Sequence, residues 1–90
     1  MTPLEKVRAE LERYEHVLVN FSAREDARGE VELLISLKAD VPGAHVYVAP
    51  VHPRDIQQSQ FPWNFQRYLY DCLHDYLVEL FVRTPQSRDA

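Results

Sequence analysis

The sequence predicts an α+β two-layer sandwich in the order α-β-β-β-α, a three-stranded antiparallel meander with both helices on one face. Three observations lead there. Apolar residues repeat at helical spacing near both ends of the chain and alternate in its middle. Short links bearing glycine separate the alternating segments, which favours antiparallel neighbours. The last helical segment, Pro62–Arg83, carries apolar residues around about half its circumference, more than the ~100° stripe that one contact needs. It is expected to touch two surfaces, such as the sheet and either a second helix or another copy of itself.

The elements follow in chain order. Thr2-Pro3-Leu4-Glu5 reads as a helix start, with Thr as N-cap, Pro at the first position and Glu reaching back. Leu4, Val7, Leu11 and Tyr14 then form a narrow stripe. From His16 to Ala23 the period changes to two, with Val17, Val19, Phe21 and Ala23 on one face. From Glu30 to Ala39, Val31, Leu33, Ile35 and Leu37 alternate in the same way. The polar link between them ends in Gly29, so the two strands form a hairpin. Val41-Pro42-Gly43 marks the next turn, and His45–Val51 is a third strand that Pro50 ends or confines to an edge. Val46 and Val48 are expected inward, His45, Tyr47 and Ala49 outward. Residues 51–60 read as the one irregular stretch, with Ser59 capping the last helix. The domain spans 1–84, and the tail 85–90 is expected to fray.

Ninety residues make one small domain whose stability is modest without a partner or ligand. Hydrophobic residues at 46% and charged residues at 27% are ordinary for a folded domain. No apolar run is long enough for a membrane helix, and the charged start lacks a signal core. The single cysteine, Cys72, excludes an internal disulfide and suits the cytoplasm. It lies on the apolar arc, as a small buried hydrophobe. A net charge of −4 argues against a surface that tracks phosphates, so nucleic acid is not the expected partner.

Chemistry is sparsely signalled. The loop His52-Pro53-Arg54-Asp55, followed by Trp63 and Arg67, is the candidate ligand-binding constellation: an imidazole, two guanidiniums, a carboxylate and an indole. The competing reading is a solvated connector, with Trp63 sealing the edge of the core. His16, His45 and Glu32 on the open sheet face lack metal-ligand spacing, so no metal or other cofactor is expected. Asp71, His74 and Asp75 share the polar arc of the last helix, where a solvated face is the favoured reading. No serine sits in a nucleophile pattern, and Gly29 and Gly43 are the only glycines, so phosphate loops are excluded and no catalytic residue is assigned. An enzyme is the less favoured class.

Two apolar sets are candidate interfaces. Leu18, Leu34 and Tyr47 are expected on the open face of the sheet. Tyr68, Val78 and Val82 are expected on the otherwise polar side of the last helix, where apolar residues fit a subunit contact. A homodimer, or contact with another protein, is therefore the expected mode of action. The alternative is a module binding a small anion or nucleic acid through the 50–60 loop and the start of the last helix.

The element order also resembles that of the double-stranded-RNA-binding domain, which implies both helices on one sheet face. The resemblance is topological and covers most of the chain. It fails at the residues that would bind RNA. The last helix opens Phe61-Pro62-Trp63-Asn64-Phe65-Gln66-Arg67, without the family's lysine cluster, and Pro42-Gly43-Ala44-His45 lies one connection later than the family's Gly-Pro-x-His loop. No binding residue carries over.

Overall fold

The computed structural model describes residues 2–39 and 41–83, with side chains as far as Leu80. It contains α1 (Pro3–Leu11), β1 (Val19–Glu25), β2 (Val31–Leu37), β3 (Tyr47–Val51), α2 (Pro53–Gln57) and α3 (Phe61–Arg83). The strands lie in the order β1-β2-β3 with both pairs antiparallel. The α+β meander is therefore as the sequence predicts, with one short helix added. The expected tail, 85–90, lies outside the described residues.

Local chemistry accounts for the element ends. The Thr2 hydroxyl accepts from the Glu5 amide at 3.1 Å, and the Glu5 carboxylate accepts from the Thr2 amide at 2.8 Å. This closes a capping box. In the β1–β2 hairpin, Asp26 Oδ1 accepts from the amides of Arg28 and Glu30 at 2.8 and 2.9 Å. Gly29 follows with φ of 81°, a conformation other residues adopt only at a cost. In the second connection the Ala44 amide reaches the Val41 carbonyl at 3.1 Å, with Gly43 at φ 82°. Pro42 and Gly43 thus fill the two central positions of a type II turn.

The core lies between the helices and one face of the sheet. Val19 and Ala23, then Val31, Leu33 and Ile35, then Ala49 and Val51 meet Phe61, Phe65, Leu69, Cys72, Leu73 and Tyr76 of α3. Val7 and Leu11 of α1 and Ile56 of α2 complete it. Burial of apolar area at about 25 cal/mol/Å² is what holds the two layers together. At roughly 1.5 Å per residue, the 23 residues of α3 run about 34 Å, against about 23 Å for a seven-residue strand.

Several expectations are overturned. β3 has the opposite phase: Ala49 and Val51 are buried and Tyr47 half-buried on the helix side, while Val46 and Val48 are 49% and 43% exposed. Directly opposed residues share a face, and the register sets Tyr47 against Ile35 and Ala49 against Leu33. Tyr47 therefore does not belong to the open face, where Val48 stands beside Leu34. His45 is likewise not on that face. Its Nε2 meets Glu79 of α3 at 2.7 Å, and its carbonyl accepts from the Tyr76 hydroxyl at 2.6 Å. Val17 precedes β1 and is 84% exposed, because the strand starts two residues later. Residues 51–60, expected to be irregular, hold α2, where His52 caps its own helix by accepting from the Arg54 amide at Nδ1. Ser59 does not cap α3; the Gln60 carbonyl takes the first helical bond, from Asn64 at 3.0 Å. Trp63 seals nothing, being 79% exposed.

Candidate functional site

The chain leaves β3 at Val51 and turns through His52 into α2, whose Ile56 is buried and acts as its anchor. Lys6 of α1 fixes that anchor from behind: its Nζ donates to the Ile56 carbonyl at 2.6 Å and sits 5.6 Å from the centre of the Phe61 ring. The link to α3 is held by Asn64, whose side-chain amide donates to Gln58 Oε1 at 3.3 Å. Between α2 and the first turns of α3 this leaves an open cleft of about 290 Å³. Its floor is Val51, Phe61 and Phe65, and its rim is Asp55, Asn64, Arg67, Tyr68 and Asp71. A second hollow lies on the other side of Asp55 and Tyr68, bounded by Glu30, Pro50, His52 and Pro53.

Of the residues the sequence singled out, Asp55 and Arg67 meet in the cleft and His52 lines the adjoining hollow. Arg54 and Trp63 stand apart, both exposed, and Trp63 borders a separate shallow site with Gln60 and Asn64. The rim residues Tyr68 and Asp71, together with Glu30, were not expected there. Glu30 and Tyr68 are brought in by the sheet register and the length of α3, which no local motif encodes. α2 itself carried a usable signal: a polar residue, then Pro, then Asp55 in the first turn, is a helix start.

Charge decides what the cleft can hold. Its rim sets two carboxylates, Asp55 and Asp71, around the one guanidinium of Arg67, and Glu30 adds a third acid next door. A phosphate would gain one cation and face repulsion from the acids, so the geometry favours a cationic or zwitterionic group. Nothing in it resembles a nucleophile with its base. The His52 Nδ1 is committed to its own backbone, and the Tyr68 hydroxyl donates to the Pro50 carbonyl. Among the described residues no group of three or more potential metal ligands converges.

Behind the rim, Cys72 is buried, as its place on the apolar arc implied. Burial pushes its thiol up, and the Tyr68 and Tyr47 hydroxyls beside it offset part of that shift. The same burial pushes Tyr47 up to about 12 and Tyr68 higher still, so both stay protonated as donors. Such a thiol is inert.

The remaining candidates divide. Leu18 is 54% exposed at the start of the open face and Leu34 is half-buried in its middle. Tyr68 is half-buried against β3, and does not stand free on the polar side of α3. Val78 is 48% exposed on α3. The side chain of Val82 lies outside the described residues. His74 and Asp75 are both exposed with 4.0 Å between them, a solvated pair. No helix among the described residues is long and apolar enough to cross a membrane. The chain matches no protein-family model, no curated protein and no solved structure at a significant level.

Proposed function

We propose that this chain is a small protein-interaction domain that self-associates. One observation carries the reading: nine large apolar side chains are exposed among the described residues, and they are not evenly scattered. Trp63, Tyr70 and Leu77, at 79%, 50% and 37% exposure, stand seven residues apart on α3. That spacing drifts by only about 20° per step, so they form one stripe along the outside of the helix. Val17 and Leu18 form a second exposed pair before β1, and Val46 and Val48 a third on the sheet. Exposed apolar surface grouped in this way marks contact surfaces. A cytoplasmic location goes with this reading, on the strength of the one buried, unpaired cysteine.

Light scattering over a concentration series, at low and high salt, tests it. The expected result is a dimer that persists in high salt, since apolar contacts are not screened. A monomer at every concentration would overturn self-association. If the side of α3 bearing Val78 is the contact, Val78→Glu combined with Val82→Glu yields a folded monomer.

The cleft between α2 and α3 supports a second reading, a small-ligand module using Arg67, Asp55 and His52. Titration with inorganic phosphate and with spermidine separates an anion site from a cation site. Loss of phosphate binding in Arg67→Ala supports the anion; spermidine binding lost in Asp71→Asn supports the cation.

A further inference from the structure

α3 has a wider apolar arc than the core uses. Phe61, Phe65, Leu69, Cys72, Leu73 and Tyr76 are buried in the core. Trp63, Tyr70 and Leu77 remain at 79%, 50% and 37% exposure, although at about 100° per residue they follow one another along a single line. The ring of Tyr70, midway along this line, is held edge-on by Tyr14 with centroids 6.1 Å apart, so the centre of the stripe is ordered before anything docks. The two margins of the stripe differ. Arg67, Asp71, His74 and Val78 lie along one, Gln66 and Leu73 along the other. Arg67 and Asp71 are exposed and form no ion pair among the described residues.

We propose that this stripe packs antiparallel against the same stripe of a second copy, with the two-fold axis passing beside Tyr70. This deepens the self-association reading and rests on it. With Tyr70 at the centre, Trp63 of each copy lies opposite Leu77 of the other, and Tyr70 meets its own counterpart. The most exposed ring of the molecule is thereby covered by an aliphatic side chain. Antiparallel helices related by a two-fold axis bring like margins together. Arg67 of each copy then lies about 3 Å along the helix axis from Asp71 of the other, within reach of its guanidinium, and the contact occurs twice. A parallel pairing would set the charged margin against Gln66 and Leu73, where neither Arg67 nor Asp71 meets an opposite charge. Charge therefore selects both the partner, a second copy, and its direction. The area agrees. An exposed aromatic side chain offers up to roughly 200 Å², and the three residues together roughly 400 Å² per copy. With the margins added, both copies reach the lower end of a standard interface, about 1,200 Å², so the expected dimer forms at micromolar concentration.

The test uses the whole chain. Trp63 is its only tryptophan, so the emission reports the contact directly. The maximum should move to shorter wavelength as concentration rises, in step with the dimer mass read by light scattering. Trp63→Glu should weaken dimerisation about tenfold or more. Its far-UV circular dichroism should be unchanged, because Trp63 is 79% exposed. Asp71→Arg should weaken the dimer several-fold at low salt, and adding Arg67→Glu should restore it, because the swap recreates the pair with its signs reversed. A double variant no tighter than Asp71→Arg would overturn the antiparallel arrangement. A dimer indifferent to Trp63→Glu, with emission independent of concentration in the wild type, would overturn the stripe pairing while leaving self-association standing on another surface. A wild type that stays monomeric at every concentration would overturn both.

Discussion

Tyr76→Phe isolates one bond that ties the two layers of the fold together. The Tyr76 side chain is fully buried, its ring meets those of His45 at 5.2 Å and Tyr47 at 6.0 Å, and its hydroxyl donates to the His45 carbonyl at 2.6 Å. Phenylalanine keeps the ring and its packing, so the substitution removes the hydroxyl alone. What is lost is one net hydrogen bond plus the cost of leaving a partly buried carbonyl unpaired, together about 1 to 2 kcal/mol. For a domain of this size that lowers Tm by roughly 5 to 15 °C. Thermal and urea unfolding followed by circular dichroism measures it, with the urea m-value expected to stay constant because the area exposed on unfolding is the same. Tyr68→Phe is the internal control. Its bond to the Pro50 carbonyl is at the surface, where water replaces the lost partner, and the expected loss is below about 1 kcal/mol. If Tyr76→Phe unfolds within about 2 °C of the wild type, the hydroxyl does not hold α3 to the approach of β3, and the account of how the layers are fastened is wrong.

Leu33→Ala, at a fully buried position in the central strand, should cost about 2 to 5 kcal/mol, read as a lowered urea midpoint. Gly29→Ala meets no steric neighbour but forces alanine to φ of 81°, so urea unfolding should show a loss of about 1 to 2 kcal/mol. Alkaline pH should unfold the chain early. Tyr47, Tyr68 and Tyr76 all have hydroxyls pushed up by burial, Tyr47 from 10.0 to about 12. A group whose pKa is higher folded than unfolded stabilises the fold while protonated. That stability is complete below pH 10.0 and lost as pH rises toward 12, which a Tm series across this window measures.

The cleft was only partly legible. The sequence named Asp55 and Arg67 but took the guanidiniums as the dominant charge, because neighbours in sequence were all it could weigh. Asp71 lies four residues beyond Arg67, one helical turn on, and arrives at the rim on the same side of α3. Glu30 comes from the β1–β2 turn, delivered by strand pairing. An electrostatic sign read from one segment was therefore changed by residues from two others, which is the usual hazard of reading a binding loop without its scaffold.

The hairpin, the capping box and both glycine turns were readable because each is settled within about five residues of chain. The phase of β3 runs against its valine pattern, and Pro50 carries the information that sets it. β2 uses its even-numbered residues to bond β1, which leaves its odd-numbered ones to bond β3. Those odd-numbered residues, Val31, Leu33 and Ile35, are also the inward ones. Any β3 residue facing the core beside them must therefore donate its amide to β2. Had Val46 and Val48 faced inward, Pro50 would have faced inward too, at a position requiring an N–H that proline lacks. The opposite phase sets Pro50 against Glu32 in a pair that exchanges no hydrogen bonds, and makes Tyr47, Ala49 and Val51 the core residues. Two valines at alternate positions pointed one way through hydrophobicity, a preference worth about 1.5 to 3 kcal/mol for each buried side chain. One proline pointed the other way through a buried carbonyl left without its donor, and Tyr47, a larger apolar body than either valine, added to its side. On β3, backbone satisfaction and ring area together outweigh the two valines.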